Sequence, residues 1–445
     1  MELISSIPLF GGFLWTLLSF VVVLSVIVFI HEFGHYIVGR WCGIHAEVFS
    51  LGFGPKVTSW HDKRGTRWQL SAFPFGGYVK FLGDADASSR TDQAALEKMD
   101  EATRARSFHG ARLYKKALTV AAGPVANFIL SIAIFSGLVM VSGLATDAPI
   151  VGQLKPLPAA GYTLKPGDRI LAINGVKTPD YPALYAYART KGPLTAVQDY
   201  TVRRAGQELT AKGPFPLLPL VDTVQPQSAA MAAGLKVGDL IESVDGKKII
   251  AFRQLQALVS ASAGRKMHLK IWRDGNERQI TLAARVVDMP DASGKFVKRT
   301  LIGITGGLFF RPKTVTPGPL EAVKIGALQT YDIVSSSLGG LVQMVRGSIS
   351  ACNLQGPVGI AKTSGDAASQ GVSSFVWFIA VLSTAIGLLN LFPIPVLDGG
   401  HLVFFGYEAI AGKPPSDRVL QVLMSGGLFL IIALMVFALT NDFFC

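Results

Sequence analysis

Four long apolar stretches dominate the pattern of hydrophobic and polar positions along the chain. The first includes 18 consecutive uncharged residues, Phe13 to Ile30, and 18 helical residues extend about 27 Å. That length crosses the hydrocarbon core of a bilayer, and no basic region or cleavage site marks the first stretch as a signal peptide. The pattern predicts four transmembrane helices, at about residues 13–38, 117–141, 375–392 and 419–439.

The polar intervals differ in charge. Lys and Arg lie near the membrane ends throughout residues 40–116, whereas none precedes the first span. Positive residues are enriched on the cytoplasmic side of membrane proteins. We therefore expect residues 40–116 to be cytoplasmic, and both termini and residues 143–374 to lie outside the cytoplasm.

The cytoplasmic interval is rich in aromatic and β-branched residues punctuated by Gly and Pro, at residues 51–55 and 68–80. This composition is typical of short strands or hairpins. An exposed strand edge could hold an unwound polypeptide by main-chain pairing, and Gly76 and Gly77 would permit its close approach. A hairpin at the membrane interface that contacts no substrate is the alternative.

The interval between the second and third spans contains an internal repeat. Residues 164–175 (LKPGDRILAING) align with residues 235–246 (LKVGDLIESVDG), mostly at an offset of 71. A repeat of that length predicts two similar small domains. Beyond them, an apolar helical stripe could lie on the membrane surface or brace the domains, and we favour a packing role; it comprises Tyr331, Val334, Leu338, Leu341 and Val345.

Composition agrees with a membrane protein that also has soluble domains, because 50% of the 445 residues are hydrophobic and 16% are charged. The net charge of +12 could indicate nucleic-acid binding, but no basic motif interleaved with aromatic residues is present. Basic residues that flank membrane helices explain the charge more simply. We expect no nucleic-acid partner.

Three ionisable residues end the first apolar run, in the sequence His31-Glu32-Phe33-Gly34-His35. Residues four apart on a helix share a face, so His31 and His35 can present two imidazole nitrogens to one Zn²⁺. Glu32 then lies beside the metal and can take a proton from its water. Ionisable side chains are costly at membrane depth, which favours a metal site over two structural histidines at a helix end.

The third span ends at the same predicted depth, in the sequence NLFPIPVLDGG of residues 390–400. Pro393 and Pro395 interrupt the helix and leave backbone groups unpaired, which membranes tolerate only beside protein or a water-filled cavity. Asp398 follows this break, where a carboxylate would complete a His₂-carboxylate site with one open position. A turn aspartate is the alternative for Asp398, and His401 is the rival ligand.

HEFGH on the first span together with NLFPIPVLDG on the third resembles the site-2 protease family of intramembrane zinc metalloproteases, in particular its bacterial RseP type. The resemblance covers essentially the whole chain. It implies one Zn²⁺ held by His31, His35 and Asp398, with Glu32 as the catalytic acid and base. It also implies that Asn390 helps to hold the substrate and that a membrane-re-entrant β element contains Gly76 and Gly77.

The sequence GPVANF at residues 123–128 resembles a further motif of the family. Asn127 would then support the site, and an asparagine that packs between helices is the alternative.

Both repeats resemble PDZ domains of the bacterial protease type, and the second matches better. In the second repeat, Leu301, Ile302, Gly303 and Ile304 would form the loop that binds a peptide as an added strand. No comparable loop precedes Leu217, so peptide binding by the first repeat is doubtful.

The predicted fold class is a multi-pass α-helical membrane protein with four transmembrane helices, a membrane-associated β element and two extracytoplasmic β-rich PDZ domains. The predicted divisions are the first span (1–42), the cytoplasmic loop with its hairpin (43–116), the second span (117–142), the two PDZ domains (143–220 and 221–310), an amphipathic helix and linker (311–372), the third span with the LDG motif (373–410), and the fourth span with the C-terminus (411–445).

The predicted function is zinc-dependent proteolysis within the bacterial inner membrane, with the active site near the cytoplasmic face. By resemblance, the substrates would be single-pass membrane proteins such as anti-sigma factors already shortened by another protease, or remnant signal peptides, and membrane lipids would be partners. A non-enzymatic scaffold that binds through PDZ domains is a rival, against which the intact Glu32 argues. A transporter is another, against which four spans and no detectable inverted repeat argue.

Overall fold

A computed structural model of the chain describes residues 11–85, 93–158, 161–290 and 296–444. The chain forms two compact units. The first unit contains residues 1–138, 319–347 and 351–445, and the second contains residues 139–318 and 348–350.

The first unit begins with a long helix and a bent two-stranded sheet. Its early elements are α1 (Gly11–Trp41), β1 (Ala46–His61), β2 (Arg67–Phe81), α2 (Gln93–Lys98), α3 (Glu101–Ala105) and α4 (Leu113–Ser142). Residues 46–51 of β1 pair with residues 77–81 on one side and with residues 67–70 on the other. The predicted β element is therefore a folded sheet that packs against α1.

Aromatic packing and one carboxylate attach this sheet to α1. The rings of Tyr36, Phe49 and Trp68 contact one another, and Asp62 in the β1–β2 turn accepts hydrogen bonds from Tyr36 Oη and Trp68 Nε1. Burial raises the pKa of Asp62, but these donors and two backbone amides outweigh it and lower the pKa to about 2. The carboxylate stays ionised and holds the turn.

The second unit is built from two successive sets of strands with short helices. The first set contains β3 (Leu144–Ala145), β4 (Val151–Leu154), β5 (Arg169–Ile173), β6 (Val176–Lys177), α5 (Tyr181–Ala186), β7 (Val197–Arg204) and β8 (Gln207–Pro214). The second contains β9 (Leu217–Val224), α6 (Ala229–Ala232), β10 (Leu240–Val244), β11 (Lys247–Lys248), α7 (Phe252–Ala261), β12 (Lys266–Arg273) and β13 (Asn276–Ala283). Five short strands close the unit: β14 (Arg285–Pro290), β15 (Phe296–Leu301), β16 (Ile304–Leu308), β17 (Phe310–Pro312) and β18 (Thr314–Val315).

The same ion pair occurs in both repeats. In the first, Arg204 donates two hydrogen bonds of 2.7 Å to the buried carboxylate of Asp168, which also accepts the Lys165 amide. In the second, Arg273 donates two of 2.6 Å to Asp239, which accepts the Lys236 amide. The sequence repeat is therefore also a structural repeat.

One continuous stretch, residues 304–315, pairs with both repeats. Its first part, β16, pairs with β9 of the second repeat, whereas β17 and β18 pair with β4 and β3 of the first. The first repeat is thus completed by residues that follow the second in sequence. The predicted divisions at residues 220 and 310 stay predictions, and pairing between strands so distant in sequence leaves no local signal.

The second unit carries nearly all of the net charge. Residues 139–318 contain 24 Lys and Arg against 13 Asp and Glu, a net charge of +11 out of +12. The rest of the chain contains 18 basic and 17 acidic residues. The attribution of the charge to the flanks of membrane helices is therefore wrong.

Five helices complete the first unit: α8 (Pro319–Val345), α9 (Pro357–Ser369), α10 (Val372–Asn390), α11 (Asp398–Ala411) and α12 (Asp417–Phe444). Among the described residues, four helices are long and apolar enough to cross a membrane, α1, α4, α10 and α12, at the positions of the four predicted spans. Two helices occupy the predicted helix-and-linker segment 311–372, and Asp398 begins a helix separate from the third span.

The buried face of α8 differs from the predicted one. Ala322, Gly326 and Thr330 are buried, and Gly326 lies against Ile132 and Ser136 of α4. The predicted stripe is open instead, with Tyr331 66% and Val345 89% exposed. Small residues make the contact with α4 by close approach, and the role of the large apolar stripe stays a prediction.

Candidate metal centre

Helices α1 and α4 approach closely at the HEFGH motif because glycines occupy the contact points. A side chain at Gly34 would collide with the Ala122 carbonyl, and one at Gly123 would collide with the rings of His31 and His35. Only a residue without Cβ fits at either position. The two imidazoles are therefore confined between α1 and α4.

Each imidazole is oriented by a partner on α4. Nδ1 of His35 donates a hydrogen bond to the Thr119 carbonyl over 2.9 Å. Nε2 then carries no proton, and its lone pair is available to bind a metal. Nδ1 of His31 lies 3.2 Å from the buried carboxamide of Asn127, whose Oδ1 has no hydrogen-bond partner within the described part of the chain. Exchange of the amide ends lets Oδ1 accept the Nδ1 proton, so Nε2 of His31 is also free.

Asp398 reaches the histidines through a tight turn between α10 and α11. A Cβ at Gly399 would collide with the carbonyls of Leu391 and Phe392, and one at Gly400 with that of Ile394. These contacts press the start of α11 against the end of α10. Asp398 is the first residue of α11, so the turn sets the position of its carboxylate.

Three ligand atoms of partly buried residues converge on one point. Nε2 of His31 and Nε2 of His35 are 3.2 Å apart, and Oδ2 of Asp398 lies 3.2 Å and 3.5 Å from them. Oδ2 is buried but makes no hydrogen bond of proper geometry to a described residue. Ligands about 2.0–2.1 Å from a tetrahedral zinc are about 3.3 Å apart, so the three atoms fit three vertices of a zinc site and leave one open.

Glu32 lies between the helix and the sheet. A Cβ at Gly77 of β2 would lie 3.1 Å from Glu32 Cγ and 2.9 Å from Val28 Cγ1. Gly76, with a φ of +127°, faces the ring of Phe53. Gly77 is therefore the place where the sheet edge at residues 77–81 meets the predicted general base.

The other predicted residues of the third span and the LDG motif lie at the end of α10, in the α10–α11 turn and on α11. Asn390 is the last residue of α10 and is partly exposed. Pro393 lies in the α10–α11 turn, as does Pro395, which contacts Gly427 of α12. His401 lies further along α11 with its ring beside Phe404, and among the described residues it does not join the cluster of three ligand atoms.

Two features of the centre were not predicted. The Thr119 carbonyl orients His35, and Lys116 of α4 bonds Glu408 of α11 over 3.2 Å while lying above the Phe405 ring. The pair links the helix that carries Asn127 to the helix that begins with Asp398. A carbonyl contact has no sequence signature, and 292 residues separate Lys116 from Glu408.

The predicted peptide loop lines a separate groove in the second unit. The groove encloses about 490 Å³ between α7 and residues 298–304, which include Leu301, Ile302, Gly303 and Ile304. The Gln225 amide bonds the Gly303 carbonyl, and in the first repeat the Lys155 amide bonds the Phe309 carbonyl in the same way. Phe309 is 1% exposed, so the equivalent loop of the first repeat is part of the core.

Comparison with known proteins agrees with this centre. The family model described as Peptidase family M50 matches residues 19–434. A protein of Agrobacterium fabrum named as a candidate zinc metalloprotease, Atu1380, is 36% identical over 430 residues, which cover 96% of this chain and 95% of the relative. The regulator of sigma-E protease RseP of Escherichia coli is 34% identical over 462 residues, 97% of this chain and 99% of the relative.

The chain therefore belongs to peptidase family M50, the site-2 protease family. It is a zinc metalloprotease, as the sequence predicts. A PDZ domain of the SdrC-like protein of Listeria monocytogenes covers 20% of this chain with 22% identity and a TM-score of 0.16, a likeness too low to bear on the fold.

Proposed function

We propose that this chain is an intramembrane endopeptidase that cuts single-pass membrane proteins within or near their transmembrane segment. One Zn²⁺ would be held by His31, His35 and Asp398. The observation that supports this most directly is the convergence of three ligand atoms within 3.5 Å, two of them on a helix apolar enough to cross a membrane.

Each residue of the centre has a role in hydrolysis. The zinc, when bound, supplies a Lewis acid that polarises the scissile carbonyl and acidifies the attacking water. Glu32 takes the proton of that water and gives it to the leaving nitrogen, so one side chain serves as base and then as acid. Asn127 and the Thr119 carbonyl hold the imidazoles in the tautomer that leaves Nε2 free.

The substrate would be held in an extended form next to Glu32. A helix hides its peptide carbonyls, so a substrate segment must unwind before attack. The strand at residues 77–81 is an edge of its sheet and packs beside Glu32 at Gly77. Main-chain pairing with this edge would stabilise the unwound segment, with Asn390 holding its far side.

The name of the Escherichia coli relative assigns it to regulation of sigma-E, which supports anti-sigma factors pre-cleaved by another protease as substrates here. Remnant signal peptides would be a second group. The location would be the bacterial inner membrane among its lipids, with both termini and the two PDZ-like repeats outside the cytoplasm and the metal near the cytoplasmic face. The absence of basic residues before α1 and their abundance at residues 40–116 support this orientation.

The test compares two glutamate variants of the purified full chain in lipid, mixed with a single-pass substrate. Glu32→Gln should retain zinc but lose cleavage, because only the proton acceptor is removed. Glu47→Gln, whose carboxylate forms a surface ion pair with Lys80, should cleave normally. Undiminished cleavage by Glu32→Gln would refute the assignment, and Asp398→Ala with full zinc content would refute the ligand set.

A further inference from the structure

Several carboxylates of the second unit are bound by partners within the unit. The carboxylate of Asp168 is bound by Arg204 and that of Asp239 by Arg273. Other carboxylates cap a helix, fix a turn or pair with a lysine, as do Asp180, Asp245 and Asp222. With a net charge of +11, the unit attracts anionic partners.

Two of these basic residues line the groove beside α7. Lys298 and Arg299 form its wall next to Leu301, and no Asp or Glu is among its lining residues. Neither residue forms an ion pair with any described residue. The groove therefore has a basic end, and Asp288, which lies opposite Lys298 in the β14–β15 pair, accepts the Ser350 amide.

The rest of the groove is suited to an extended apolar chain. Phe252, Leu255 and Val259 of α7 form the floor of the groove and are at most 8% exposed, and Gln256 and Ser260 of the same helix are exposed beside them. Across from them, β16 is the last strand of its sheet, so its outer edge is available for main-chain pairing. An apolar segment fits this wall and edge.

We propose that the groove of the second repeat selects an acidic peptide, with apolar side chains against α7 and at least one Asp or Glu beside Lys298 and Arg299. This rests on the proposed function, since the peptide would be the extracytoplasmic tail of a membrane-protein substrate. Charge complementarity identifies the occupant, because a basic or neutral tail would leave both cations without a partner. The specificity then resides in two side chains of the second unit, whereas the predicted zinc ligands belong to the first.

The experiment measures binding to the full chain carrying Glu32→Gln, so that no peptide is cleaved. Three fluorescent peptides share one apolar sequence and differ only at three positions. All three positions are Glu in the first peptide, Gln in the second and Lys in the third. We expect the Glu peptide to bind at least about tenfold more tightly than the Gln peptide, with the difference shrinking as salt is raised. The Lys peptide should bind most weakly.

A matched pair of double variants distinguishes the effect of Lys298 and Arg299 from the effect of the net positive charge of the whole unit. Lys298→Glu/Arg299→Glu should abolish the preference for the Glu peptide. Lys247→Glu/Lys248→Glu makes the same change of net charge on β11, outside the groove, and should preserve the preference. Equal loss in both variants, or no loss in the first, would overturn the proposal.

Cleavage provides an independent readout. With wild-type Glu32, the groove variant should lose its selectivity between Glu-tailed and Gln-tailed substrates yet cleave a substrate without a tail at the wild-type rate. Loss of cleavage of every substrate would contradict the separation of groove and metal centre. A wild-type chain that cuts no substrate would instead refute the proposed function, whatever the peptides show.

Discussion

The carboxamide of Asn127 lies 3.2 Å from Nδ1 of His31 and so connects the second membrane-length helix to the first predicted zinc ligand. Asn127 is fully buried and the His31 side chain is 12% exposed, so the contact is largely shielded from solvent. This contact is the observation from which a supporting role for Asn127, within the sequence GPVANF, is predicted.

Replacing Asn127 tests this contact. Asn127→Ala should weaken zinc binding by about 10- to 100-fold, because His31 loses the partner that orients its ring. The measurement is zinc competition against a chelator with the full chain in detergent. Ser136→Ala on the same helix removes only a bond to the Ile132 carbonyl and serves as the control. Equal zinc affinity in the two variants would contradict the role of Asn127.

A methyl group at Gly123 should displace both imidazoles. Its Cβ would collide with the His35 ring and lie 2.9 Å from His31 Cε1, so Gly123→Ala should reduce zinc content and cleavage at least about 100-fold. Gly137 lies on the same helix with no atom within 4 Å, and Gly137→Ala should retain full activity and gain up to about 1 kcal/mol of helix stability. Normal zinc binding by Gly123→Ala would contradict this prediction, because it would show that α1 and α4 can move apart without displacing the imidazoles.

The turn before α11 offers a similar pair of glycines. Gly399→Ala would place a methyl against two backbone carbonyls, which cannot rotate away as a side chain can. The start of α11 should shift with Asp398, so zinc affinity and cleavage should both fall. Gly406→Ala on the same helix has open space and should behave as wild type. Retained affinity in Gly399→Ala would mean that the turn does not position the ligand.

The buried Asp168 predicts a pH-dependent stability of the first repeat. Burial raises its pKa, but the hydrogen bonds from Arg204 and the Lys165 amide outweigh burial and lower the pKa below its ordinary value. A depressed native pKa stabilises the fold above the unfolded pKa of about 4 and loses that contribution as the pH falls towards the native pKa.

Asp168→Ala should therefore lower the unfolding temperature of the repeat by roughly 5 °C or more at pH 7, and by progressively less below about pH 4. Hydrogen exchange of β5 and β7 in the full chain, recorded over a series of temperatures at each pH, measures this. Glu208→Ala breaks an exposed pair with Arg203 and should have little effect at any pH. A difference that does not change with pH would exclude ionisation of Asp168 as its cause.

Sequence reasoning succeeds here where the signal is local. The four-residue spacing of His31 and His35 places both rings on one helix face, and uninterrupted apolar runs predict the four candidate spans. The sequence also predicts that Asp398 lies near the histidines. The charge asymmetry of the loops indicates that the first and third spans both run from outside to inside, so their ends lie at the same depth in the membrane. The family resemblance added Asn127, which residue type alone could not distinguish from a packing residue.

The missed features depend on contacts between distant segments. Thr119 contributes a backbone carbonyl, which every residue type possesses, so nothing in its side chain indicates that it orients His35. The buried face of α8 is formed by small residues, whereas the prediction followed the large apolar ones. The pairing of Phe310 with Leu154 joins residues 156 positions apart, and strand register over that distance has no local signature.

The continuous stretch from β16 to β18 also dictates an order of events during synthesis. The first repeat lacks the partners of β3 and β4 until residue 315 has emerged, by which time the whole second repeat is already available to fold. Its sheet must wait with the Val151–Leu154 edge unpaired, and nascent chains halted before residue 310 would carry that edge as a site for mispairing. The second repeat is thus an insertion within the sequence of the first.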